Sequence, residues 1–141
     1  MSILEEIKQK LKDKISDWYE HNSQRIYFTV QKEDITEVAG ILFKDLGLRF
    51  VIATGTDTPD ALEILYHFSC DETGQMISAR TLIKDKQKPQ IDSLTSISPA
   101  FAWIEREMWE LLGIDFAGHP NLKHLLLKED WPQDNYPLRN K

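Results

Sequence analysis

Residues 104–112 read Ile-Glu-Arg-Glu-Met-Trp-Glu-Leu-Leu, and residues 113–120 add an aspartate and a histidine-proline pair. Side chains of these types could serve an acid–base pair, a metal site, or a surface that meets another protein. Two carboxylates that share a proton or a metal must converge on one point. On a helix each residue advances by about 100°, so Glu105 and Glu107 stand about 200° apart and diverge. They make a poor catalytic dyad. His119 and His124 are five apart, with Asp115 nearby and Pro120 between them. Zinc sites draw three or four closely spaced ligands and commonly use cysteine, which is missing here. A small hydrolase or metalloenzyme built on these histidines and carboxylates is one reading, which stoichiometric metal in the purified chain would support. His21 and His67 are isolated, as surface or strand positions explain.

Other chemistry leaves little trace. No glycine-rich nucleotide fingerprint and no nucleophile-elbow pattern occurs. The stretch Gly-Thr-Asp-Thr-Pro-Asp at 55–60 is turn chemistry. Lys84, Lys86 and Lys88 form a small basic loop of the solvated kind. The single cysteine, Cys70, lies in an apolar alternating run and reads as a small buried hydrophobe. One thiol can form neither an internal disulfide nor, alone, a cluster site.

A helix over 99–112 must carry the charged trio. Ser98 suits its N-cap, Pro99 its first position and Gly113 its stop. Phe101, Ile104, Met108, Leu111 and Leu112 form its apolar stripe, with Glu105 and Glu107 on the two borders. Arg106 points away from the stripe, one turn from Glu110. That pair is either a solvated ion pair worth a few tenths of a kcal/mol, or it meets the tail or another chain.

Upstream, Ser2 and Glu5 form a capping box ahead of a short helix striped by Ile3, Leu4, Ile7 and Leu11. Residues 25–30 read as a strand and 33–46 as an amphipathic helix closed by Gly47. Strands are expected over 48–55, 61–69 and 75–84, with Asp71–Gly74 as a hairpin turn between the last two. Residues 85–97 read as a connecting loop. The expected fold class is α+β, a small mixed or antiparallel sheet with two to three helices and an irregular C-terminal tail. The organisation is an α+β domain over 1–113 and a partner-binding tail over 114–141 within the same domain.

The chain has 141 residues, a length that suits one domain. Its formal net charge of -6 argues against nucleic acid as main partner. No window supplies the ~20 apolar residues of a membrane helix, and the N-terminus lacks a signal core.

The tail carries Phe116, Leu122, Leu125, Leu126, Leu127, Trp131, Tyr136 and Leu138 outside any periodic element. Aromatic and arginine side chains on irregular backbone suit interface anchors. Either the tail wraps its own domain or it lies on a partner.

The run Glu-Arg-Glu-Met-Trp-Glu-Leu-Leu-Gly-Ile-Asp-Phe-Ala-Gly-His-Pro, continued by Leu122, Leu125, Glu129, Asp130, Trp131, Pro137, Leu138 and Arg139, resembles the signature of a known family. That family comprises the C subunit of respiratory NADH–quinone oxidoreductase (complex I) and the matching subunit of energy-converting membrane-bound nickel–iron hydrogenases. The chain departs from it at Lys128, where proline is usual, at Glu110, where aspartate is usual, and in a longer link between Trp131 and Pro137. It stops two residues after Arg139, which tilts the resemblance toward the hydrogenase type.

The resemblance implies a non-catalytic hydrophilic subunit on the cytoplasmic face of the cell membrane, peripheral and touching the membrane arm only indirectly. Enzymatic activity would belong to the complex, with no active site in this chain. It implies no cofactor in this chain. Iron–sulfur clusters and the nickel–iron or quinone site would sit in partners, namely the iron–sulfur subunits and the large catalytic subunit. The residues expected to bind partners are Glu105, Arg106, Glu107, Phe116, His119, Pro120, Glu129, Asp130, Trp131, Leu138 and Arg139. The alternative is a free-standing cytosolic protein-binding module.

Overall fold

A computed structural model describes residues 2–123, 131–132 and 135–139. The chain opens with α1 (Ile3–Leu11), whose N-cap Ser2 hydroxyl accepts from the Glu5 amide at 3.2 Å. Two strands follow, β1 (Ile15–Asn22) and β2 (Arg25–Val30). The expected 33–46 helix is one continuous apolar-faced coil of changing pitch. A 3-10 turn (Lys32–Asp34) leads into α2 (Ile35–Gly40), which relaxes into a π turn (Ile41–Asp45). Ile35, Val38, Ala39 and Leu42 on its inner face are buried. Gly47 ends it at a φ of 67°, a conformation that suits glycine. Then come β3 (Arg49–Asp57), β4 (Leu62–Cys70), β5 (Gln75–Ile83), the short β6 (Gln90–Asp92), α3 (Ala102–Leu112) and β7 (Asp115–Ala117).

The main sheet is mixed, with strand order β1-β2-β5-β4-β3. All its pairings are antiparallel except β2 with β5. The helices bury one face of it. Period-two alternation sends Ile26, Phe28 and Val30 from β2 and Leu62, Ile64, Tyr66 and Phe68 from β4 into a core closed by Ile7, Leu11, Leu42 and Phe101. The fold is α+β, as the sequence predicts.

Three strands escape sequence reading. In β1 the register slips between Ser16 and Tyr19, and Asp17 takes a φ of 52°. This bulge turns Trp18 inward, where it stacks on Phe28 at 5.8 Å. Its inward residues Ile15 and Trp18 are therefore three apart and show no alternation. Strands β6 and β7 are three residues each, too short to carry a period. Their parallel pairing, Gln90 with Asp115 through Asp92 with Ala117, sits inside what reads as loop and tail.

Candidate functional site

Helix α3 carries the charged trio of the expected site, Glu105, Arg106 and Glu107, and three local features seat it. The Ser98 hydroxyl accepts from the Ala100 amide at 3.1 Å ahead of Pro99. Phe101 is fully buried, with its ring centroid 4.2 Å from that of Phe50 and in contact with Phe68 and Phe43. Opposite the helix, Gly55 of β3 leaves no room for a side chain: a Cβ there would stand 2.5 Å from Leu112 Cδ1. Glycine thus lets α3 press directly on β3.

The two border carboxylates have opposite fates. Glu105 is fully buried and accepts from the Ser93 hydroxyl at 2.6 Å and from the Leu94 amide at 2.7 Å. The β6–β7 pair brings those donors over the helix, since the Ser93 amide donates to the Ala117 carbonyl at 2.8 Å. Burial pushes the Glu105 carboxyl above its usual value, while the Leu94 and Ser93 hydrogen bonds and the nearby His119 pull it down. Glu107 faces the other way, half-buried beside β3.

Arg106 lays its guanidinium over the Trp103 ring, 5.7 Å from the centroid, and its Nε donates to the Lys123 carbonyl at 3.2 Å. It meets the chain's own tail. Glu110 is buried, so the solvated ion pair that its spacing suggests does not describe it. His119 accepts from the Asn121 amide at Nδ1, 3.0 Å. Its Nε2 therefore carries the hydrogen and donates to the Ala102 carbonyl at 2.9 Å. Nε2 thus fastens the turn after β7 to the start of α3, while Nδ1 closes that turn on itself. Phe116 is buried in the core, and Pro120 is exposed. Among the described residues no group of three His, Cys, Asp or Glu stands close enough to hold a metal ion. His124, Glu129 and Asp130 lie outside the described residues.

The end of the tail caps α3. The last carbonyls of a helix lack partners within it and carry its negative dipole end. Here the Leu138 amide donates to the Leu111 carbonyl at 3.0 Å, and Arg139 Nη1 donates to the Leu112 carbonyl at 2.9 Å. Arg139 Nη2 donates to the Lys86 carbonyl at 2.7 Å, and its Nε lies 3.9 Å from Asp57 Oδ2. Asp57 also pairs with the Lys86 ammonium, which donates to the Thr58 carbonyl at 2.7 Å. Lys86, expected in a solvated loop, is thus held by a buried carboxylate. The Tyr136 ring covers Gly113. The Trp131 indole N–H donates to the Asn135 carbonyl at 2.7 Å.

Beside this cap runs an apolar seam between α3 and β3. One groove of about 300 Å³ is lined by Ile52–Gly55, Ile104, Glu107, Met108, Leu111, Leu112 and Leu138. A second, of about 330 Å³, continues past Val51 and Trp103. Trp103 is 67% exposed, Leu138 53% and Ile52 49%. Sequence reasoning missed Trp103, although its place outside the apolar stripe of α3 is a legible signal. It also missed Asp57, which is hidden among turn residues.

The family model for "Respiratory-chain NADH dehydrogenase, 30 Kd subunit" matches residues 28–141. The chain belongs to this family. The C subunit of the NADH-quinone oxidoreductase of Chloroherpeton thalassium is 33% identical over 138 residues, covering 94% of this chain and 56% of that protein. Its counterpart in Citrifermentans bemidjiense is 30% identical over 137 residues, covering 94% of this chain and 83% of that protein. The chain thus spans little more than half the length of the former. Two solved structures share the fold. A chain in the structure of the membrane-bound sulfane sulfur reductase, an archaeal respiratory membrane complex, superposes with a TM-score of 0.85 at 23% identity over 97% of this chain and 81% of that one. The trypsin-resistant fragment of Nqo5 superposes with a TM-score of 0.67 at 21% identity over 85% of this chain and 96% of that one. No helix among the described residues is long and apolar enough to cross a membrane.

Proposed function

We propose that this chain is a non-catalytic hydrophilic subunit of a complex I-type oxidoreductase, docked on the large catalytic subunit at the cytoplasmic face of the membrane. The carrying observation is the family match across residues 28–141. The relatives matched in sequence are NADH-quinone oxidoreductase subunits, which supports that type over the hydrogenase type. On this reading the chain holds no cofactor, and the iron–sulfur clusters and quinone site belong to its partners. The charged trio then serves architecture. Glu105 orders the 93–94 loop, Arg106 fastens Lys123, and Glu107 remains at the surface for a neighbour.

Affinity capture of the tagged chain from gently solubilised membranes, read by mass spectrometry, tests this. The large catalytic subunit and the iron–sulfur subunits are expected in the eluate, and the isolated chain is expected to hold no iron, nickel or flavin. A lone monomer in those membranes would instead support a free-standing binding module.

A further inference from the structure

The two edges of the main sheet are built differently. On one side β1 is broken by two register shifts, and it carries Asp17, Glu20 and His21. Bulges and charges are the devices by which proteins blunt an edge against further pairing. On the other side β3 is regular from Ile52 to Asp57, with its single irregularity before Ile52. Between Arg49 and Asp57 it reads Phe-Val-Ile-Ala-Thr-Gly-Thr, without charge or proline. Among the described residues it pairs with β4 alone. Its other edge, unpaired among the described residues, is flanked by the seam, whose apolar wall is Ile104, Leu111 and Leu138. Among the described residues, Glu107 is the only charged side chain that lines either groove.

An extended segment laid along β3 would satisfy the open backbone groups as a sixth strand. Its side chains directed at α3 would have to be apolar, and one directed at Glu107 would have to be basic. We infer that the β3 edge receives an extended segment of the large subunit, apolar on the side facing α3 and bearing a lysine or arginine opposite Glu107. This rests on the docking reading above and names the surface that performs it.

A photoreactive residue placed at Thr54 on the β3 edge, or at Tyr19 on the β1 edge, tests the assignment in the assembled complex. Thr54 is expected to give an adduct with a large-subunit peptide that contains a lysine or arginine, and Tyr19 none. Glu107→Lys and Thr54→Lys, each checked for native far-UV circular dichroism, are expected to lower captured large subunit about tenfold relative to the unsubstituted chain, the loss of one hot-spot contact. The edge assignment falls alone if the unsubstituted chain captures the large subunit while both variants capture it equally, or while Thr54 crosslinks elsewhere or nowhere. If the unsubstituted chain captures no large subunit, the docking reading falls and the edge assignment with it.

Discussion

Glu105 is a carboxylate without solvent contact, held by one hydroxyl and one amide. Burial outweighs those donors and raises its proton affinity above that of the unfolded chain. A group whose folded pKa is raised contributes stability below its unfolded value and loses it as pH climbs through the folded value. The wild-type chain is therefore expected to lose stability relative to Glu105→Gln as pH rises from the ordinary value of 4.5 upward. Paired urea titrations at several pH values measure that difference, and parallel curves would contradict it. At this scale the sequence is legible where a residue's role is local. Ser98 as cap and Gly113 as stop can be read because capping acts within one turn. Asp57 and Ser93 cannot, because their partners at Lys86, Arg139 and Glu105 are distant in the chain.

Helix α3 is the element on which core, tail and surface seam meet. Gly113 has a φ of 78°, and a Cβ there would approach the Tyr136 ring to 2.6 Å. Gly113→Ala is expected to cost about 1–2 kcal/mol from the left-handed backbone alone, with the tail displaced in addition. Asparagine tolerates that backbone but would meet the same ring, so Gly113→Asn should recover little. Faster amide exchange at Leu138, whose N–H caps the Leu111 carbonyl, would report the displaced tail. Among elements, legibility followed length and regularity. The strand over 25–30 and the three later strands emerge from alternation, and the run 33–46 emerges from its stripe even though its pitch changes twice. Strand β1 failed because a bulge broke its period, and β6 and β7 failed because three residues carry none. Those two short strands place Ser93 and Leu94 over Glu105, so that part of the candidate site was illegible for the same reason.

At the scale of the molecule, the strand order divides the sheet into two antiparallel units, β1–β2 and β3–β4–β5, each formed by neighbours in sequence. Within the sheet they join along the parallel pairing of β2 with β5, from Arg25 with Met76 to Thr29 with Arg80. The covalent path between the units is the single helical run that ends at Gly47. Backbone hydrogen bonds and buried side chains, not chain continuity, therefore hold the two units in register. Severing the polypeptide after Gly47 is expected to yield peptides 1–47 and 48–141 that recombine when mixed, with native far-UV circular dichroism and co-elution on size exclusion as the readouts. Two pieces that share one core would then come together in the manner of a split reporter.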